Sequence, residues 1–228
     1  MSKIIVSYDD TSNDRDAAVL GRILTAAGST PELAYVRHAS DSDHEREQLQ
    51  ESEARALLAR GADLIGNPDA PVHVVLNKST SEGLRGLVEA EHADIIVFGS
   101  DYRTARGSVN PGNSARQLLE GGPAAVAIAP AGLHTQDHTP TIGRIGVVGD
   151  VAAQETAESL AAALGARVTE PGESPVDLLV VGSRPEAPHG MVSLSAAAEY
   201  AVETASCAVL VVAHATPIAF ASPVAATA

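Results

Sequence analysis

Asp9 and Asp10 close the first apolar run of the chain, KIIVSY, and Gly99 closes a later one, ADIIVF. Ser100 follows Gly99 directly, and thirteen positions beyond Gly99 stands Gly112, followed by Asn113 and Ser114. These residue types suit one chemistry in particular. Glycines let backbone N–H groups approach phosphate oxygens, and a helix starting near Gly112 would aim its positive end at them. A carboxylate such as Asp9 can hydrogen-bond an adenosine. The same residues also have an ordinary reading, because Asp9 and Asp10 could bond only nearby loop amides and glycines end strands in many proteins. On these residues alone both readings stay open.

Other chemistries find less support. Ser7, Ser100 and Ser183 follow apolar runs, but none sits in a Gly-x-Ser-x-Gly elbow and no acid–histidine partner can be placed, so no catalytic residue is expected. His134, Asp137 and His138 form a His-x3-His trio that could ligate a metal. Their segment reads as a linker and implies no further ligand, so no metal is expected. The single cysteine, Cys207, excludes an internal disulfide and a multi-thiolate site. Standing at the head of CAVLVVA, it reads as a small buried hydrophobe.

Charge excludes further classes. The formal net charge of -14, from 29 acidic against 15 basic residues, repels phosphate backbones and anionic lipid. Neither a nucleic acid nor a membrane is therefore expected as a partner. MSKIIVSYDD has too few apolar residues before its charges to be a signal peptide, which points to a cytoplasmic protein. The apolar C-terminal stretch is broken by His214, Pro217 and Pro223, and reads as a strand followed by a loose Ala-rich tail, 216–228. With 3% aromatic residues and no Trp, the core must be built from Ala, Val, Leu and Ile, as in helices packed on a β-branched sheet.

The elements that would position Asp9 and Gly99 alternate. KIIVSY is a strand, and SNDRDAAVLGRILTAAG a helix capped by Ser12 or Asn13 and stopped by Gly28. ELAYVR, VHVVL, ADIIVFGS and AAVAIAP are further strands. Between them lie the helices DHEREQLQESEARALLARG, STSEGLRGLVEAEH, with Ser79 and Glu82 as a capping box, and NSARQLLEG. Strand–helix alternation of this kind implies parallel βαβ units in a doubly wound sheet, whose ligands bind outside the carboxyl ends of the strands. The tips after Asp9 and Gly99 would then line one crevice.

The chain also repeats itself. Residues 94–126 lie over 177–209 without a gap, so that DIIVFGS faces DLLVVGS and Ala125-Val126 faces Ala208-Val209. Upstream, KIIVSYD (3–9) matches RIGVVGD (144–150) at a different offset. The difference between the offsets means that the second copy has lost 58 residues from its middle. It keeps a helix, AAQETAESLAAALGA, a short strand, ARVTE, and the final strand–loop–helix–strand unit. The expected architecture is therefore α/β, with two doubly wound parallel-sheet modules, the second truncated. The first occupies 1–132 and the second 143–215, with 130–143 as linker.

With the first strand closing in Asp9, the GS after the fourth strand, the glycine thirteen residues on and the ending GNSARQLLEGGPAAVAIAP, the chain resembles the universal stress proteins in their tandem form. The resemblance implies an adenine-nucleotide α-hydrolase-like fold and a pocket for ATP or another adenine nucleotide, at Asp9, Val36, Gly99, Ser100, Gly112, Asn113 and Ser114. ATP-binding members carry G-x2-G-x9-G-(S/T). Here Tyr102 stands at the middle glycine, Asn113 at the final hydroxyl, and Ala115 where a second hydroxyl is common. Arg103, Arg106 and Ser114 could compensate, or the arginines could be solvated loop charges. In the second module Asp150, Gly182 and Ser183 survive, but Ser195 replaces the later glycine and Pro185 and Pro188 remove amide donors. That half is expected not to bind.

The resemblance implies a stress-response role through binding or assembly. Two alternatives remain: a ligand-free scaffold, and an adenine-nucleotide-hydrolysing or adenylating enzyme of related fold. The enzyme would need a Ser-Gly-Gly-x-Asp-Ser loop where this chain has YDDTSND. Family members pair through their last strands. Here AAVAIAP (124–130) and CAVLVVA (207–213) are apolar and without Lys, so antiparallel pairing within the chain would cover both edges. An intramolecular pseudo-dimer is expected, and a homodimer is a further open assembly.

Overall fold

Residues 2–38, 44–136, 140–169 and 175–221 are described by a computed structural model of the chain. The first half runs β1 (Lys3–Ser7), α1 (Ser12–Ala26), β2 (Thr30–Arg37), α2 (His44–Ile65), β3 (Val72–Leu76), α3 (Thr80–Glu91), β4 (Ile95–Gly99), α4 (Asn113–Leu119) and β5 (Ala125–Ala129). The second runs β6 (Arg144–Val148), α5 (Val151–Leu164), β7 (Arg167–Val168), β8 (Leu178–Gly182), α6 (Ala196–Glu203) and β9 (Ala208–Val212).

The described strands form one sheet in the order β3-β2-β1-β4-β5-β9-β8-β6-β7. Every pairing is parallel except β5 with β9. Because strand side chains alternate between faces, continuous apolar runs such as IIV and AVAIA feed two cores at once. Ile4, Val6, Ile95, Val97, Ala127 and Leu210 face the side covered by α1, α2 and α5, whereas Ile5, Ile96, Val126, Ile128, Val209 and Val211 face α3, α4 and α6.

The antiparallel pairing of the last strands is the one expected. Val126 pairs with Val211, Ala127 with Leu210 and Ile128 with Val209. Ala127 and Leu210 are counterparts in the 83-residue offset, so a pseudo-twofold axis passes between them. Hydrogen bonds recur at the same offset. Ser100 Oγ donates to Ala129 O (2.7 Å) and accepts from Asn110 N (3.3 Å), while Ser183 Oγ donates to Val212 O (2.8 Å) and accepts from Ser193 N (3.2 Å). Two bonds cross the axis reciprocally, Val109 N to Ala205 O (3.1 Å) and Val192 N to Gly122 O (2.8 Å).

Several local expectations need correction. The cap of α1 is Thr11, not Ser12 or Asn13, because Thr11 Oγ1 accepts from Asp14 N while the Asp14 carboxylate bonds back to Thr11 N. Helix α2 continues past Gly61 to Ile65, and ARVTE forms only the two-residue β7. Ser79 caps α3 through Glu82 N, but the expected capping box is incomplete, because Ser79 N donates to Asn77 Oδ1 (2.9 Å) and not to the Glu82 carboxylate. The start of the expected linker is docked on α1: Gly132 N and His134 N donate to the fully buried Asp16 carboxylate at 2.8 and 2.7 Å, and His134 Nδ1–H adds a bond of 2.6 Å. Asp137 and His138, the rest of the considered metal trio, lie outside the described residues.

The start of the C-terminal tail is docked too. Ile218 and Phe220 are buried, Ile218 N donates to Thr156 Oγ1 (2.9 Å) and Phe220 N to Ser159 Oγ (2.8 Å) on α5. The tail then reaches the turn after α1, where Gly28 has φ +91 and a Cβ would lie 2.1 Å from Ala221 O. No described helix is long and apolar enough to cross a membrane.

Candidate functional site

In the order β3-β2-β1-β4-β5 the chain reverses direction between β1 and β4, and their carboxyl ends open a cleft there, as doubly wound sheets do. The cleft holds about 620 Å³. Asp9, Thr11, Ser12, Asn13 and Asp14 form one wall, Gly99, Ser100 and Tyr102 the floor and lip, and Gly112, Asn113, Ser114 and Ala115 the other wall. Six of the seven residues expected at the site therefore meet in one cavity. Val36 does not. It is buried under α3, where a Cβ on Gly83 would touch its Cγ1 at 3.1 Å, because α3 covers the end of β2 on that face.

The two acidic residues of the strand tip have parted. Asp10 adopts φ 55, a left-handed conformation that Asp tolerates better than most residues. Its carboxylate accepts from Tyr8 Oη (2.9 Å), from Arg60 Nε and Nη2 (3.0 and 2.9 Å) and from Arg15 Nη2 (3.3 Å). The Tyr8 hydrogen bond, and then the Arg60 one, hold the Asp10 carboxyl below its ordinary range. Burial and the neighbouring Asp10 push the Tyr8 phenol up to about 12. Asp9, by contrast, lines the cleft. Desolvation first, then the charges of Asp14 and Asp10, raise its carboxyl above the usual value. Desolvation also raises Asp14, despite its bonds to Thr11 and the Asp9 amide.

The two motif glycines differ in what they do. A Cβ on Gly99 would fall 2.0 Å from Asn13 O, so the glycine lets β4 touch the first turn of α1, a contact tied by Asn13 Nδ2 donating to Ser100 O (2.7 Å). A Cβ on Gly112 would meet nothing within 4 Å. Gly112 precedes α4 with no side-chain cap, so its neighbourhood leaves bare backbone facing the cleft. The Ser100 hydroxyl lies in the cavity floor but is bonded to Ala129 and Asn110.

Among the described residues, no Lys or Arg lines the cleft. Arg103 lies over the Tyr102 ring, 4.9 Å from its centroid. Arg106 donates to Thr135 O and packs against Gly132, on the far side of the loop. Neither supplies the compensating charge considered for the phosphates. Sequence reasoning passed over Asn13 and Asp14 as cleft residues. The T-x-x-D spacing of Thr11 and Asp14 carries a helix-start signal that would have placed both at the mouth.

The corresponding place in the second half is built differently, and the cavity beside Asp150 is lined by Val151, Ala152, Glu155, Ala215 and Pro217 and not by the β8 tip. Asp150, matched to Asp9, caps α5 through Ala153 N (3.1 Å), and α5 begins at the next residue, with no intervening loop to form a wall. A Cβ on Gly149 (φ +137) would touch Gly182 N at 2.6 Å, so the two strand tips are in contact.

No family profile and no curated protein matches the chain. Solved structures do. A universal stress protein from Archaeoglobus fulgidus superposes with a TM-score of 0.69 at 16% identity, covering 92% of this chain and 98% of that one. A putative universal stress protein from Pseudomonas aeruginosa gives 0.60 at 14% identity over 93% of each chain. A functionally unknown protein from the same species gives 0.56 at 14% identity, covering 93% of this chain and 92% of that one. These likenesses run through both halves of the molecule and agree with the resemblance carried by Asp9, Gly99 and Gly112. The protein has the α/β fold of the universal stress proteins.

Proposed function

We propose that the protein acts as a universal stress protein of tandem type, through reversible binding of an adenine nucleotide in the cleft between β1 and β4. The observation that carries this reading is Gly112, whose side-chain-free backbone faces an open cavity although nothing in the fold forbids a side chain there. The Asp9 carboxylate, which accepts no hydrogen bond among the described residues, offers an acceptor to the ribose or the base. The second half serves as a structural module. It covers the β5 edge that would otherwise invite association with other chains.

The role is non-enzymatic. Ser100 is bonded to backbone, and Asp10 is engaged by Tyr8, Arg15 and Arg60, so neither is poised as a nucleophile or base at the cleft. A ligand-free scaffold is the second reading, favoured by the lack of any Lys or Arg among the described cleft residues. One experiment separates the two. Protein purified without added ligand is denatured, the supernatant is examined for nucleotide, and the refolded or apo protein is titrated with AMP and ATP by calorimetry. Binding at one site per chain supports the nucleotide reading, and no heat at millimolar ligand leaves the scaffold. ATP turnover that survives rigorous purification and vanishes in Asp9→Ala would overturn the non-enzymatic role.

A further inference from the structure

The cleft departs from a phosphate cradle in three ways that point in one direction. Its lining includes Asp9 and Asp14 and, among the described residues, no Lys or Arg, the nearby Arg103 guanidinium being taken up by the Tyr102 ring and the Asp14 carboxylate by Thr11 and the Asp9 amide. Both carboxyls are raised by desolvation and Asp9 further by its acidic neighbours, which marks the place as already unfavourable for negative charge. The α4 helix beyond Gly112 has only seven residues, so its dipole offers little to offset this. Meanwhile Tyr102, at the position where a third glycine would bring amides to the phosphates, presents an aromatic ring that is 73% exposed at the cleft lip. The Arg103 guanidinium lies over that ring and can hold its orientation.

We propose that this cleft selects a nucleoside or nucleoside monophosphate against the triphosphate, with Tyr102 stacking on the base and Asp9 repelling additional phosphate charge. This inference rests on the nucleotide reading above and specifies its ligand class. Base–aromatic stacking is worth about 1–3 kcal/mol, a factor of roughly 5 to 150 in affinity, and does not depend on ligand charge. Two further phosphate charges about 10 Å from two carboxylates cost roughly 15-fold at the dielectric of bulk water, more nearer the protein surface and less where salt screens them. Recognition therefore moves from the phosphate end of the ligand to its base.

The test is calorimetric titration of the full chain with adenosine, AMP and ATP, in EDTA and again in Mg²⁺. The wild type should bind adenosine and AMP, with ATP at least tenfold weaker than AMP in both buffers. Tyr102→Gly, at an exposed position where folding is checked by circular dichroism, should weaken adenosine at least fivefold. Asp9→Asn keeps an acceptor oxygen and should narrow the gap between AMP and ATP at least threefold. ATP binding as tightly as AMP in EDTA would overturn the inference. So would ATP rescued by Mg²⁺, which would make the carboxylates metal ligands, or adenosine affinity unchanged in Tyr102→Gly. In each of those cases the nucleotide reading survives. Absence of binding by all three ligands removes that reading and this inference with it.

Discussion

Replacing Gly99 and Gly112 separately by Ala should divide the glycine motif into a folding residue and a site residue. At Gly99 the new Cβ would stand 2.0 Å from Asn13 O and 2.5 Å from Asn13 C, whereas real Cβ atoms essentially never approach within 3.0 Å. The obstacle is backbone in the first turn of α1, so relief requires β4 and that turn to separate by about 1 Å. Overpacking of this kind costs about 1–3 kcal/mol, and the Asn13–Ser100 bond it would stretch adds about 1 kcal/mol. Gly99→Ala should therefore lose about 2–4 kcal/mol. At Gly112 φ is -68 and the new Cβ meets nothing within 4 Å, so Gly112→Ala should change stability by less than about 1 kcal/mol. The same methyl group would nonetheless occupy the cleft. Urea unfolding, with equal m-values, reads the first effect, and calorimetry with AMP reads the second. A Gly99→Ala protein as stable as wild type would refute the close-contact argument. A Gly112→Ala protein that keeps full stability and full affinity would refute the role given to its open backbone.

Other consequences can be measured directly. The folded-state carboxyl of Asp9 is raised, so it favours folding only while protonated, and the penalty appears as pH rises through that raised value. Asp9→Asn should accordingly raise Tm at pH 7 and give no gain near pH 3, and a gain equal at both values would contradict the assignment. Asp10 has the opposite sign. Its lowered carboxyl contributes stability above the unfolded value near pH 3.9, lost on acidification, so Asp10→Asn should destabilise at pH 7 and much less at pH 3. Burial, then the Asp177 charge, push the Cys207 thiol up to about 11, so it should resist a thiol reagent at pH 8 until the protein unfolds, and rapid native labelling would show otherwise. A chain ending at residue 140 exposes β5, and size-exclusion chromatography should find it associated; a stable monomer at high concentration would refute the edge-covering role of β9.

The strands and the cleft were legible because their signals are local. An apolar run such as DIIVFGS writes a buried strand in consecutive residues, its reappearance as DLLVVGS marks the repeat, and the resemblance to a family that pairs through its last strands implied the pairing of β5 with β9. Asp9, Gly99 and Gly112 come together because parallel crossovers return every strand end to the same rim. What escaped depends on partners distant in sequence or on choices among similar residues. Ile218 and Phe220 are isolated among Pro, Ala and Thr, and their amides bond hydroxyls on Thr156 and Ser159 some sixty residues earlier. The run DDTSN offers five possible caps, and the left-handed turn at Asp10 decides for Thr11. Val36 follows a strand pattern that reveals burial without revealing that α3 is what buries it.

The pseudo-twofold axis between Ala127 and Leu210 has a consequence for how the molecule behaves when dilute. Two separate copies meeting at such an axis would part as their concentration falls below the dissociation constant. Here the partner is tethered by the chain itself, which supplies an effective concentration of about millimolar whatever the bulk value. The interface is therefore insensitive to expression level. Because its two sides are encoded separately, the half at β6–β9 could lose a cleft between its strand tips while the half at β1–β5 retained one. On the nucleotide reading proposed above, the assembly would offer one binding event per interface instead of two, and its occupancy should follow a simple hyperbola with a Hill coefficient of about one.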